Sequence, residues 1–479
     1  MYGMLEPFRL RRFMSSSRSS EASPAKPAHS VAQDGLLRVL GLKESTAIVI
    51  GTLIGTGIFL VPREMINEVH SIGLILLAWL VGGFLSLCGA LAYAELGTLR
   101  PEAGGEYAYL RDGLGPFFGF LFGWGMFWVV RPASVAAIGA GFSRAAGFLW
   151  PQLDLPLHLG GWILPCNGEQ LLAAGMIVLV TVINYFGVRH GGRVQTIFTG
   201  LKLALVLLLT IAAFSVGHGH WTHLSERLSG PVGMGGFAAA LVAALWAYDG
   251  WNDLTLAGSE IRDPERTIPR AMIGGIFVVF LFYVGINLAY FYVLRPVQIA
   301  GADNVAATMA AQFLGHYGGS LVAAAIMVSA FATLNSSILS GARVPFALSR
   351  DGLFFRPLSR VHSEYHTPHV SLIIQAAFAS VLALSGSYQI LYTMTIFAEW
   401  LFYVLAVASL FAFHRRGVRG PYRSWGFPVL PGIFIVLATV LLGITFWQNL
   451  GYSSAGLAII LAGTPAYFYW SRRKAKAAL

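Results

Sequence analysis

Long apolar runs joined by short polar connectors make up most of the chain after residue 45. They fall at about 45–62, 72–97, 115–149, 170–188, 195–216, 234–260, 271–294, 320–348, 368–386, 389–413, 427–447 and 453–471. Each is near or above the ~20 residues that an α-helix needs to cross a bilayer core. The ten-residue alternation of a membrane β-strand is missing. The pattern predicts an all-α integral membrane fold with 12 transmembrane helices in residues 39–471.

Composition narrows the class. Hydrophobic residues make up 56% of the 479 positions and charged residues only 11%, against about 25% charged in ordinary soluble chains. That excludes a soluble enzyme, a nucleic-acid-binding domain and a disordered protein. Residues 1–38, rich in Ser, Pro and Ala, read as a disordered cytoplasmic tail, and residues 472–479 as a basic cytoplasmic one. No long apolar run precedes residue 45, so no cleavable secretory signal is expected. With the N-terminus inside, only Arg63, Arg227 and Arg295 of the 32 basic residues fall in outer connectors. Arg131, Arg144, Lys202 and Arg343 lie in or at the ends of spans, and all the others are inside. Both termini are therefore expected in the cytoplasm. The Ala-rich, Arg-biased composition points to a bacterial inner membrane. Cys88 and Cys166 are too few for a disulfide framework or a cysteine metal site.

Two spans look interrupted. The first carries Gly51, Gly55 and Gly57 at mid-span, and the sixth reads Leu245-Trp246-Ala247-Tyr248-Asp249-Gly250-Trp251-Asn252-Asp253. Mid-span glycines weaken a helix by about 1 kcal/mol each relative to Ala. Non-helical backbone at membrane depth is tolerated where it lines a cavity. The two interruptions hold matching places in two five-span halves, the arrangement that marks a transporter's central site. A break exposes N–H groups at the start of one half-helix and carbonyls at the end of the other. Those ends suit the carboxylate and the amine of an amino acid. Gly51 alone is better read as a helix-packing glycine.

At these residues the sequence resembles the L-amino acid transporter family of the amino acid–polyamine–organocation superfamily. The likeness covers most of residues 40–425. It runs through GTLIGTGIFLVP at 51–62, SLCGALAYAELGT at 86–98, PEAGGEYAYL at 101–110, RPAS at 131–134, RVQTIFTGLKL at 193–203 and LWAYDGWN at 245–252. SEIRDPERTIPRA from residue 259, then SRDGLF and TPHV, continue it. The resemblance implies two inverted five-helix repeats, at about 45–216 and 234–413, with extra helices at about 427–471. It implies alternating-access amino acid transport. Carried over by residue, Gly55, Thr56 and Gly57 hold the substrate carboxylate. Carbonyls around Thr52, Leu53, Trp246 and Ala247 hold the amine. Trp246 matches the aromatic gate and Asn252 a polar site residue. Animal members join a glycoprotein heavy chain through a cysteine. Cys166 lies outside that short cysteine motif, which argues against a disulfide-linked partner.

Ionisable residues inside spans default to functional roles. By resemblance, Lys202 stands where sodium-coupled relatives bind an ion, and Ser329, Thr333 and Ser336 form the facing stripe on span eight. The alternative is a lysine snorkelling to the surface. Asp249 either pairs with a cationic substrate side chain or caps the second half of span six. Glu399 is a proton site, a pocket wall or a packing residue. Arg131, followed by Pro132, is expected to bond carbonyls that the proline frees. Glu260 and Arg262 are expected to form an inner-gate ion pair. His218, His220 and His223, like His362, His366 and His369, read as solvated loop residues.

The sequence thus predicts a sodium-independent secondary transporter for neutral L-amino acids, with cationic ones admitted through Asp249, working by exchange or proton coupling. No cofactor, metal or nucleic-acid partner is expected. A polyamine permease of the same superfamily is the near alternative. An ion channel is the distant one, because a channel predicts a continuous polar pore. No catalytic motif such as HExxH or GxSxG appears.

Overall fold

The computed structural model describes residues 32, 34–159, 162–217, 219–230, 233–315, 317–385, 388–448 and 450–478. Among these residues, nine helical segments are long and apolar enough to cross a membrane. Three shorter apolar helices, Gly235–Ala247, Val305–Leu314 and His369–Leu384, accompany them.

The first apolar run is two helices. α1 spans Leu42–Leu53 and α2 spans Gly57–Val69. α3 (Ile72–Leu99) is followed by a short connecting helix, α4 (Glu106–Gly113). The third run begins as α5 (Pro116–Gly125), passes through a π-helical turn at Met126–Val130, and resumes as α6 (Arg131–Leu149). The wide turn stands directly before Pro132, whose ring cannot sit against the preceding turn of a regular helix. An antiparallel ribbon, Pro156–Leu159 with Trp162–Asn167, leads to α7 (Gly168–Tyr185) and α8 (Val188–Val216).

The second half starts with another divided helix. α9 spans Met234–Ala247 and α10 spans Asp253–Leu256. α11 (Pro264–Val293) is followed by α12 (Pro296–Ala300) and α13 (Val305–Leu314). The hydropathy reading placed no helix at α13. Next come α14 (Tyr317–Gly341), α15 (Arg343–Arg350), α16 (His369–Leu384) and α17 (Tyr388–Arg415). α18 (Val429–Gln448), α19 (Leu450–Leu461) and α20 (Gly463–Ala478) complete the chain. α20 takes in residues 472–478 of the stretch expected to be a basic tail.

α1 packs between α8, α11 and α14, and α14 packs along α6 and α8. Both interrupted spans are thus enclosed by helices. At one end of the bundle the segment from Asp34 to Gly41 forms a strap. Leu36 is buried against Ala103 and Phe346. The Val39 and Leu40 N–H groups donate to the Glu260 carbonyl, and Arg38 donates to the Ile261 carbonyl. The strap starts inside the stretch expected to be a tail. Residues 1–31 lie outside the described residues. At the opposite end, α2, α6, α12, α13 and α14 surround an open cavity of about 1130 Å³.

Candidate functional site at the two helix breaks

Both interruptions are real breaks in the backbone. After Leu53, Ile54 leaves the helix with φ −78° and ψ 83°. After Ala247, residues 248–252 turn before α10 begins. Gly250 takes φ +103°, and a Cβ there would stand 2.5 Å from Thr52 Cγ2. Only glycine meets both demands. Gly51 packs against Gln195 and Thr199 of α8, the contact role its position suggests.

The breaks share a cavity of about 100 Å³. Thr52, Leu53, Gly55, Thr56 and Gly57 line it from the first break, and Trp246, Ala247 and Asp249 from the second. In the first turn of α2 the Phe59 N–H donates to the Thr56 carbonyl at 3.2 Å, while those of Gly57 and Ile58 have no helical carbonyl one turn back. Gly57 sits under Trp246, whose Cζ3 would lie 2.9 Å from an added Cβ. Thr56 also lines the larger open cavity, so the two spaces meet there.

Tyr283 of α11 joins the two breaks. Its hydroxyl lies 2.7 Å from the Leu53 carbonyl and 2.7 Å from the Ala247 carbonyl. With one phenolic proton it donates to one of these two carbonyls at a time, which leaves the other open to an amine.

Lys202 of α8 is buried rather than snorkelling. Its Nζ donates to the carbonyls of Gly51 (2.9 Å), Ile54 (2.6 Å) and Ser329 (3.2 Å), and meets Thr333 Oγ1 at 3.4 Å. Ser329 Oγ donates to the Ile54 carbonyl. Ser336 is not in this group. Its Oγ is buried without a hydrogen-bond partner among the described residues. Seven positions along α14 carry it past the lysine, so the expected stripe is two residues long.

A charged and polar cluster forms the far wall. Arg131 donates to both oxygens of Asp253, at 2.7 and 3.2 Å, and both side chains are buried. Its partner is therefore a carboxylate, not the carbonyls freed by Pro132. Tyr403 Oη lies 2.8 Å from Asp249 Oδ1 and 2.9 Å from Asn252 Oδ1. Asn252 points away from the cavity, and its Nδ2 donates to Glu106 Oε1 at 2.9 Å. It supports the wall rather than lining the cavity. Tyr93 also donates to Glu106 Oε1, at 3.0 Å. Burial pushes the Glu106 carboxyl up to about 8, against the lowering effect of these donors. Glu399 lines the cavity beside Asp249, as do Ser134 and Ser337. The helix-cap position before α10 is held by Asn252, not by Asp249.

At the strap end, Glu260 pairs with Arg343, not with Arg262. Arg343 Nε and Nη2 donate to the two carboxylate oxygens at 2.9 Å each. Arg262 instead donates to the Arg38 carbonyl. The chain turns through a 3₁₀ segment at Gly258–Glu260, which aims Glu260 inward and Arg262 outward. Of the loop histidines, His220 is exposed as expected, and three others have protein contacts. His223 contacts the Tyr292 carbonyl, and His362 stacks on Tyr365. His366 meets the Gly35 carbonyl of the strap. His218 lies outside the described residues. Cys88 and Cys166 are both free thiols.

The sequence reading missed Tyr283, Tyr403, Glu106 and the role of Asp253. Asp253 ended the interrupted string, and Glu106 lay in the PEAGGEYAYL motif. The tyrosines carry no local signal, because a tyrosine in an apolar span reads as packing.

The family described as amino acid permease matches residues 40–467. The serine/threonine exchanger SteT of Bacillus subtilis (strain 168) is 34% identical over 456 residues, covering 92% of this chain and 99% of that protein. The human b(0,+)-type amino acid transporter 1 is 31% identical over 452 residues, covering 92% and 89%. The human large neutral amino acids transporter small subunit 2 is 31% identical over 447 residues, covering 91% and 82%.

Proposed function

The chain belongs to the amino acid permease family, and on that premise we propose that it is a sodium-independent exchanger of neutral L-amino acids, working by alternating access. Its relatives are transporters, not enzymes. The observation that carries the reading is Lys202. Its Nζ sits among four oxygens from α1 and α14, at the break itself. Four acceptors around one site are what a small cation needs, and a tethered lysine supplies that charge without a free ion.

The substrate carboxylate meets the first-turn N–H groups of α2, where the helix dipole favours an anion. Its amine meets the carbonyl ends of α1 and α9. A cavity of about 100 Å³ at the breaks suits small substrates such as serine, threonine and alanine, and its junction with the larger space at Thr56 leaves room for longer side chains. The name of the Bacillus relative agrees with the small substrates. Asp249 in the wall adds a second class, amino acids with a cationic side chain.

The same reading takes the fold as 12 spans. α1–α8 and α9–α17 are inverted repeats, and the strap end and both termini lie in the cytoplasm. The protein sits in the bacterial inner membrane as a single chain. The strap and the Glu260–Arg343 pair close the cytoplasmic side, while the open cavity at Thr56 faces outward.

The test is uptake of labelled serine into sodium-free liposomes preloaded with unlabelled serine. Uptake that requires internal amino acid and ignores added sodium is expected. Stimulation by sodium would remove Lys202 as an ion surrogate. Uptake into vesicles without amino acid, driven by a pH gradient, would replace exchange with proton symport. Putrescine uptake insensitive to Gly57→Ala would make the chain a polyamine permease.

A further inference from the structure

Tyr403 has one phenolic proton and two acceptors. The acceptor Asn252 Oδ1 is fixed in direction, because the amide nitrogen of Asn252 is committed to Glu106. The other acceptor is Asp249 Oδ1. If Asp249 is ionised, Tyr403 donates to it and the Asn252 oxygen goes without. If Asp249 carries a proton, it donates to Tyr403, and Tyr403 donates on to Asn252. A second contact points the same way. The carboxyls of Asp249 and Glu399 lie within side-chain hydrogen-bonding reach of each other. Two carboxyls make such a bond only with a proton between them.

No nearby cation removes that need. Arg131 of α6 faces the pair, but two of its nitrogens are committed to Asp253 of α10. Its Nε–H, buried at the same cavity, has no acceptor among the described residues. Asp253 of α10 also faces both carboxyls, and Tyr403 of α17 faces Asp249, with Tyr93 of α3 and Glu106 of α4 behind that tyrosine. Lys202 is held on the opposite side, by α1 and α14.

We infer that Asp249 and Glu399 hold a shared proton in the wall of the substrate cavity, and that the side-chain charge of a cationic amino acid takes this proton's place. The inference rests on the exchange reading above. A cationic substrate arriving from outside sends the proton back outside and carries its own charge through. After it leaves, the pair takes a proton from the inside, and a neutral amino acid departs with that proton aboard. One cycle moves a cation in and a neutral amino acid plus a proton out. No net charge crosses.

Proteoliposomes loaded with serine and a trapped pH dye test this on addition of arginine. The interior should become alkaline, a single proton leaving per arginine, at a rate indifferent to an imposed potassium diffusion potential. Serine–serine exchange should move no protons. Arginine uptake without proton movement and driven by membrane potential overturns the inference. So does failure of arginine to enter while serine exchange proceeds. Absence of serine exchange itself would instead sink the underlying reading. A second measurement does not depend on transport. Infrared difference spectra of the purified protein should show a protonated carboxyl that is retained in Glu106→Gln and disappears in Glu399→Gln and in Asp249→Asn. Persistence of that band in both variants refutes the shared proton.

Discussion

Arg343 and Glu260 meet through two parallel hydrogen bonds of 2.9 Å, with 1% and 0% of their side chains exposed. The pair ties α15 to the turn that follows α10, and the strap crosses that same turn. Removing one partner of such a pair leaves a buried charge, at a cost of about 3–5 kcal/mol. Arg343→Ala should lower thermal stability in detergent by that order. The double variant Arg343→Met with Glu260→Gln should recover part of the loss. Thermal unfolding followed by tryptophan fluorescence checks both.

Lys202 fills the oxygen cluster at the first break. Its loss takes one of two donors from each of the Gly51 and Ile54 carbonyls, leaving Thr333 Oγ1 on the first and Ser329 Oγ on the second. Hydrogen bonds to charged groups contribute about 1.5–3 kcal/mol each. Lys202→Ala should therefore reduce serine exchange about tenfold to a hundredfold. Sodium should restore part of it, because the oxygen cage remains. Exchange rates in sodium and in choline buffers decide this.

Tyr283 gives the two breaks a common anchor. Tyr283→Phe removes a hydroxyl from two buried carbonyls, at a cost of about 1–3 kcal/mol. Both stability and apparent serine affinity should fall. A change in stability alone would assign Tyr283 to the scaffold and not to the site.

Gly57 and Gly55 should differ sharply. An added Cβ at Gly57 meets Trp246 at 2.9 Å and the Ala247 Cβ at 3.3 Å, whereas at Gly55 the nearest atom is Thr333 Oγ1 at 3.9 Å. Gly57→Ala should displace the tryptophan and abolish exchange, and Gly55→Ala should retain a measurable rate. Parallel uptake assays on the two variants test the order.

Glu106 makes stability depend on pH. Burial raises its carboxyl to about 8 in the folded protein, against an ordinary 4.5. Above the ordinary value the unfolded chain ionises while the folded one still binds the proton. The stabilising contribution is complete below about pH 4.5 and is lost as pH rises through about 8. Melting temperature should fall across that window, and Glu106→Gln should flatten the fall. An unchanged slope in the variant would assign the dependence to another group.

Much of the architecture was legible because burying backbone in lipid leaves few solutions. The interrupted spans were visible as Gly55-Thr56-Gly57 and as Trp246 to Asp253, and both are breaks that line one cavity. Lys202 was visible as a cation where none should be. Ser336 failed because a helical stripe gives a face but not a depth. Arg131 was misjudged because its proline neighbour is local, whereas its partner Asp253 lies 122 residues away.

Chemistry of individual residues and the spacing of apolar runs decided what kind of protein this is: helices in a bilayer, broken where an amino acid could bind. Those properties follow from solvent and backbone hydrogen bonding, which act along the chain. Pairing was decided only in three dimensions. Glu260 found Arg343 rather than Arg262, Asp249 met Tyr403 and Glu399, and Tyr283 bridged the two breaks. A hydrogen bond forms where helix packing brings donor and acceptor within about 3 Å, and sequence spacing does not encode that distance across a bundle.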